Sequence, residues 1–185
     1  MNSEIEQRIA SLQAIADDVK MEFGDLSDQQ LNWKRDPEAW SINQCFNHLN
    51  KVSALVCPML SEAAETGRRE GKLSDKPTKL GFSDWLFARI TSPKPIFKVS
   101  VPKLYIPDEG ELPNQVERFL QLQTLIVETA KGADGVDLNR INCPSPVSKL
   151  VKIKLGAWFL SIIGHEQYHI QQAREILKLS DFPSA

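Results

Sequence analysis

Residues 155–179 read LGAWFLSIIGHEQYHIQQAREILKL, and the spacing of their apolar side chains decides the fold class. Apolar residues recur every three or four positions, as they do along one face of an α-helix. One edge of this face carries, in order, Trp158, Ile162, His165, His169, Gln172 and Ile176. The stretch therefore predicts a long helix with two histidines turned toward a protein core.

Three other segments show the same periodicity, and the first and third of these helices have recognisable ends. The first predicted helix covers residues 2–23, with Ser3 and Glu6 as a capping box at its start. The third begins near Pro113, a residue type favoured at the first helical position, and ends at Gly132.

The second predicted helix begins at Ser41, which can form a capping box with Gln44. One of its apolar seams contains Cys45, His48, Val52, Leu55 and Met59. Pro58 interrupts this pattern and predicts either a kink near Ala54 or an end before the charged residues 65–70.

A proline-rich segment, residues 71–112, separates the second and third helices. Within it GFSDWLFARI predicts a short helix, whereas FKVSVPKLYIP predicts an extended covering loop. A connection of this length allows two neighbouring helices to run parallel, as in bundles with one long crossover. We therefore expect an all-α four-helix bundle that forms a single domain over residues 1–185.

Composition and charge favour a cytoplasmic protein. Hydrophobic residues make up 42% and charged residues 25% of the chain, and the formal net charge is -2. Because the basic residues do not cluster, we expect neither nucleic acid nor a membrane as a partner. The first residues lack the basic and apolar regions of a secretory signal. The cysteines, Cys45, Cys57 and Cys143, fit free thiols in a reducing compartment.

The three histidines of the chain all lie on core-facing seams of predicted helices. His165 and His169 are four residues apart, so they project about 40° apart around the helix and about 6 Å apart along it. Two imidazoles at this spacing can reach one ion. With His48 from the second helix they predict a site for one divalent ion, for which Zn²⁺ or Ni²⁺ is best suited.

Two other interpretations of these histidines compete with the metal site. Each is compatible with an ordinary buried histidine that is satisfied by its neighbours. HEQYH also matches the HExxH motif of zinc peptidases, which require a third ligand after the second histidine. Glu175 is the one carboxylate that follows His169 on this helix, and it faces roughly 120° away, which disfavours a peptidase.

The segments WSINQCFNHL and, more than 100 residues later, HEQYHIQQAREIL resemble the DinB-like (YfiT-like) superfamily. Its members share a Trp-Ser entry to the second helix with a histidine seven residues after the serine. They also share a late HxxxH motif that is followed three residues on by glutamine. These positions are here Trp40, Ser41, His48, His165, His169 and Gln172.

The resemblance implies an up-down-down-up bundle, a three-histidine metal site and assembly into homodimers. For some members it also implies transfer or isomerisation chemistry with a low-molecular-weight thiol such as bacillithiol, mycothiol or glutathione. The chain has no separate thiol-binding motif, so the resemblance implies a small-molecule substrate without identifying it.

Several residues near the predicted site each have two interpretations. Glu166 is a candidate catalytic general base or, alternatively, an acceptor beside the ligands or a surface charge. Gln172 either orients a ligand or hydrogen-bonds across the bundle, and Cys45 either faces the site or is a small core thiol. The crossover supplies aromatic residues for a pocket wall or a cover, and basic residues for an anionic cofactor: Trp85, Phe87, Phe97 and Tyr105, with Arg89 and Lys94.

These observations predict a metal-dependent enzyme, acting as a thiol-dependent transferase or as a hydrolase. The histidines would hold the ion, and Glu166 and Gln172 would assist. The alternative is a non-catalytic small-ligand or stress-response binding protein with a structural metal. An open fourth coordination position would favour catalysis, and a sealed one would favour binding.

Overall fold

The computed structural model describes residues 2–97, 100–145 and 150–184, and most of them are helical. The α-helices in this part of the chain are α1 (Ser3–Phe23), α2 (Asp28–Asn32), α3 (Ile42–Arg69), α4 (Phe82–Ile90), α5 (Gln115–Gly132) and α6 (Leu155–Leu177). A 3-10 turn covers Lys103–Tyr105, and strands β1 (Asn142–Pro144) and β2 (Lys152–Lys154) pair antiparallel. The mostly helical character confirms the predicted all-α class, whereas α2 and the strand pair were not predicted.

The starts of α1 and α3 show how well local capping patterns locate helix ends. The predicted capping box of α3 is confirmed, because Ser41 Oγ accepts from the N–H of Gln44 at 3.1 Å and Gln44 Oε1 accepts from the N–H of Ser41 at 3.2 Å. The predicted box of α1 is wrong by one residue. Asn2 caps this helix, since its Oδ1 accepts from the N–H of Glu4 at 2.8 Å.

Helix α3 continues past Pro58 and ends at Arg69, so the expected end before residues 65–70 is wrong. Proline removes one backbone hydrogen bond, which is a local cost. On both sides of Pro58 the helix buries apolar side chains, among them Val56 and Leu60, and this packing stabilises it across the proline. Leu55 is 47% exposed, so its predicted place on the buried seam is also wrong.

The crossover contains more regular structure than the sequence predicts. The expected short helix is confirmed as α4. The stretch expected to be extended includes the 3-10 turn at Lys103–Tyr105, which brings the backbone of Tyr105 against α3. Lys98 and Val99, which belong to the predicted loop, lie outside the described residues.

Helix α3 packs against α5 and α6, and α1 packs against the same two helices. The contact between α3 and α6 confirms that the helices carrying the histidines are neighbours. The buried Asp84 of α4 anchors the start of α6, because its carboxylate accepts from the N–H of Lys154 at 3.0 Å and of Gly81 at 2.8 Å. None of the helices in the described ranges combines the length and apolar character needed to cross a lipid bilayer.

Candidate metal centre

His48 is buried in the second turn of α3. Its Nδ1 atom lies 2.7 Å from the backbone carbonyl oxygen of Tyr105. Because a carbonyl oxygen can only accept a hydrogen bond, Nδ1 must carry the hydrogen and donate it. The crossover therefore fixes both the orientation and the tautomer of this imidazole, and the lone pair of Nε2 is left for another partner.

The three histidines converge through their Nε2 atoms. Nε2 of His165 lies 3.1 Å from Nε2 of His48 and 3.1 Å from Nε2 of His169. All three ligand atoms lie within 4.8 Å of one another. Two nitrogens bound at about 2.0–2.1 Å to a tetrahedral zinc ion would be about 3.3 Å apart, so the spacing fits a single ion. The trio could therefore hold a divalent metal.

Burial lowers the pKa of all three imidazoles. The pKa of His169 falls to about 3, mainly through desolvation and then through the nearby His48, with Gln172 acting in the opposite direction. Desolvation also lowers the pKa of His165 well below its ordinary value, helped by His169 and His48. For His48 desolvation outweighs the opposing effect of the Tyr105 carbonyl. All three side chains are therefore neutral at pH 7, which is the form that binds metal.

Trp40 forms a wall beside the imidazoles that the sequence did not predict. Its ring stacks on His169 with centroids 5.6 Å apart and an interplanar angle of 22°, and it also contacts His48 at 5.3 Å. An aromatic wall restricts the ring rotation of both histidines. In the sequence, the Trp-Ser pair before α3 is the feature that marks this residue.

Polar residues of α3 clamp the crossover close to His48. Lys51 Nζ donates to the carbonyl oxygen of Ile106 at 2.8 Å and to the carboxylate of Asp108 at 2.7 Å. Asn47 Oδ1 accepts from the N–H of Asp108 at 3.0 Å. These contacts hold the segment that follows Tyr105 on the surface of α3. The carbonyl that orients His48 is therefore part of a fixed structure.

The histidines line a cavity with a volume of about 700 Å³ between α3, α4, α6 and the crossover. Most of its wall is apolar. The helical part of this wall includes Val52, Val56, Ile90, Trp158, Ile162 and Ile176. Because the trio faces this space, a bound ion would have a side that a small molecule can approach.

Several candidates from the sequence reach this cavity and others do not. Gln172 and Cys45 line it, and burial raises the pKa of the Cys45 thiol to about 12, which keeps it neutral. Of the crossover aromatics Phe87, Phe97 and Tyr105 line the wall, whereas Trp85 does not. Arg89 and Lys94 are exposed and lie outside the wall.

Glu166 is only 1% exposed, yet it does not line the cavity. Desolvation raises the pKa of its carboxyl group to about 8, with the amide of Gln123 on α5 acting in the opposite direction. Its charge in turn raises the pKa of Cys57 on α3, after the larger effect of desolvation. Neither carboxylate oxygen has a hydrogen-bond partner among the described residues. Glu166 thus faces the core between α3 and α5.

Comparison with known proteins gives one match. The family model described as the DinB superfamily matches residues 11–173, which is most of the chain. No curated protein and no solved structure matches significantly. The matched range contains all three histidines and Gln172, so it covers WSINQCFNHL in full and residues 165–173 of the second segment.

Proposed function

Because the chain belongs to the DinB superfamily, we propose that it is a divalent-metal-dependent enzyme, either a thiol-dependent S-transferase or a hydrolase. The observation that carries this proposal is the convergence of three Nε2 atoms at the wall of a cavity. Buried imidazoles whose only role is packing need not share one focus, and they need not face a space that admits a small molecule.

We propose His48, His165 and His169 as the ligands of one ion, with Zn²⁺ or Ni²⁺ best suited to three neutral nitrogen donors. A bound ion supplies Lewis acidity, which lowers the pKa of a thiol or a water molecule near it. The chain itself contributes orientation. The carbonyl of Tyr105 fixes the tautomer of His48, and Trp40 limits the ring positions of His48 and His169.

Gln172 is the better supported of the two assisting residues. It lines the cavity and lies beside His169, whose pKa it raises slightly against the effect of burial. A general-base role for Glu166 lacks this support, because its side chain is buried away from the cavity wall. We therefore propose that Gln172 assists at the site and that Glu166 belongs to the core.

The alternative is a non-catalytic small-ligand or stress-response binding protein with a structural metal. The apolar character of the cavity favours this alternative, because the described lining residues offer no ionised general base close to the histidines. A hydrolase needs such a group or a second bound molecule to move a proton.

We further infer that α1, α3, α5 and α6 form the up-down-down-up bundle of the family, as a single domain over residues 1–185. Their mutual packing supports this arrangement. A cytoplasmic homodimer with a small-molecule substrate completes the proposal. Sedimentation analysis of the purified protein would test the dimer.

Metal analysis followed by spectroscopy tests the proposed function. The purified protein should contain or take up one equivalent of Zn²⁺ or Ni²⁺. In cobalt-substituted protein, free thiols should change the visible spectrum with a pH dependence that follows thiol ionisation, and His48→Ala should abolish the change. If the ion binds and thiols leave the spectrum unchanged, hydrolysis or the binding role replaces thiol transfer.

A further inference from the structure

The charge distribution around the cavity limits what can enter it. Among the lining residues that the structure describes there is neither lysine nor arginine, and Glu175 is the one charged side chain. Glu175 is exposed at the edge of the cavity. An anionic group bound inside, away from the metal, would therefore lose its water without gaining a cation from the described part of the lining, which is unfavourable.

Several polar groups of the wall already have partners within the protein, whereas the indole N–H of Trp158 and Nδ1 of His169 have none among the described residues. The hydroxyl of Thr91 donates to the carbonyl oxygen of Phe87 at 2.9 Å and lies 2.7 Å from the hydroxyl of Ser161. The carbonyl of Tyr105 accepts from His48. A ligand would gain little by presenting polar groups to Thr91, Ser161 or the Tyr105 carbonyl. The Trp158 indole can donate one hydrogen bond, and the rest of the wall is mostly apolar.

We propose that the cavity takes a ligand with an uncharged, apolar body and one sulfur or oxygen donor directed at the histidines. This substrate class rests on the proposed function, because the metal centre serves as the anchor for the donor. A volume of about 700 Å³ suits a molecule of drug-like size. Peptide-like thiols with several carboxylates, such as glutathione, are disfavoured as the molecule bound within the cavity.

A series of straight-chain thiols measures the apolar contribution directly. Calorimetric titration of zinc-loaded protein with ethanethiol, butanethiol and hexanethiol should show binding that tightens about threefold to fourfold per methylene. Glutathione should bind at least about tenfold more weakly than hexanethiol. Equal affinity along the series, or tighter binding of glutathione than of hexanethiol, would overturn the inference.

Two matched variants on α3 compare the effect of a charge in the cavity wall with the effect of the same charge on the protein surface. Val52→Lys places a cation at the cavity wall one turn after His48, whereas Leu55→Lys places it on the exposed side of the same helix. Val52→Lys should weaken hexanethiol binding at least about tenfold, and Leu55→Lys should leave it unchanged. If Val52→Lys fails to fold by circular dichroism, Ile176→Lys on α6 repeats the test. Equal effects of the wall and surface variants would contradict the proposal.

Metal-free protein distinguishes failure of this inference from failure of the proposed function. If the wild-type protein binds no zinc, the metal-dependent function is wrong, but the apolar cavity can still be tested with 1-hexanol. This alcohol should shift the NMR signal of the Trp158 indole, which lines the cavity, and Val52→Lys should suppress the shift. An unchanged signal at millimolar 1-hexanol would overturn the inference whatever the metal content.

Discussion

Helix α6 carries buried or partly buried polar groups on two faces, and the surroundings of the two faces differ. On one face His165 borders the cavity, and its Nε2 atom lies 3.1 Å from the Nε2 atoms of both His48 and His169. On the other face the next residue, Glu166, points into the core with no hydrogen-bond partner among the described residues. Successive helical residues are about 100° apart, so adjacent positions enter different environments.

The comparison shows that burial of a polar side chain does not by itself identify a functional site. Burial shifts the pKa on both faces toward the neutral form, to about 3 for His169 and to about 8 for Glu166. The two faces differ in how their polar groups are arranged. The Nε2 atoms of the three imidazoles point toward one common position, whereas the carboxylate of Glu166 points toward no other polar group that hydrogen-bonds to it among the described residues. Convergence at a cavity is therefore the feature that indicates a ligand.

The largest expected effect is the loss of metal binding when the histidines on the convergent face of α6, His165 and His169, are replaced. The double variant His165→Ala/His169→Ala deletes two of three donors, so its affinity for zinc should fall by on the order of a thousandfold. Gln167→Ala, on an exposed position of the same helix, should bind zinc like the wild-type protein. Zinc titration with a competing chromophoric chelator measures both. Unchanged affinity in the double variant would remove the basis for the metal site.

The second effect is a change in the stability of the fold when Glu166 is ionised or replaced. Its pKa is about 8 in the folded protein against an ordinary value of 4.5, so folding favours the protonated form. The contribution of Glu166 to the free energy of unfolding should therefore be largest below pH 4.5 and should be lost as the pH rises toward 8. Glu166→Gln keeps the shape without the charge, and at pH 8 it should be more stable by roughly 2–4 kcal/mol.

Urea unfolding at pH 5 and pH 8 tests this prediction on both proteins at the same metal content. Titration of the histidines then cancels in the difference between variant and wild type. Glu117→Gln changes an exposed carboxylate at the start of α5 and serves as the control. The difference in unfolding free energy between this variant and the wild type should be nearly the same at pH 5 and pH 8. If Glu166→Gln destabilises the protein equally at both pH values, the buried carboxylate has a partner that the geometry does not reveal.

The sequence predicts the positions of the three histidines better than it predicts the contacts that hold them in place. Periodicity places His48, His165 and His169 on inner seams because helical spacing is a local property. The contact between His48 and the carbonyl of Tyr105 depends on the path of the crossover, which no local pattern fixes. Main-chain groups also leave no trace in residue identity, so this partner could not be predicted.

The positions of several other side chains relative to the cavity could not be predicted from the sequence. The helical repeat and the cost of burying a charge explain where they lie. Because Glu166 follows His165, the sequence offers it as a general base, an acceptor beside the ligands or a surface charge. One residue of rotation places it on another face of the helix, away from the cavity wall. The sequence offers Arg89 and Lys94 to an anionic cofactor. Both are exposed, as solvation of charged groups favours, and neither lines the cavity. Trp40 precedes the capping box of α3 and stacks on His169, a contact that the helical pattern does not predict.

A smaller effect is expected when the support of His48 is weakened. Lys51→Met keeps the aliphatic stem and removes the donor to the carbonyl of Ile106 and to Asp108. The Tyr105 carbonyl should then hold His48 less firmly, and zinc affinity should fall about threefold to tenfold, below the range for direct partners of ligands. Lys131→Met, which breaks the exposed pair with Glu128, serves as the control. Equal affinities in the two variants would show that the clamp does not orient the site.

The smallest effect concerns Gln172, which was expected either to orient a ligand or to hydrogen-bond across the bundle. Its amide nitrogen lies 3.5 Å from the hydroxyl of Tyr168 on its own helix, and the side chain is exposed. Nδ1 of His169 is buried without a partner among the described residues, and Gln172 is close enough to shift its pKa. Gln172→Ala should therefore weaken zinc binding by only about twofold to threefold. A tenfold loss, restored by Gln172→Asn, would instead show that the amide orients His169 in the metal-loaded protein, and would extend the convergent face by one residue.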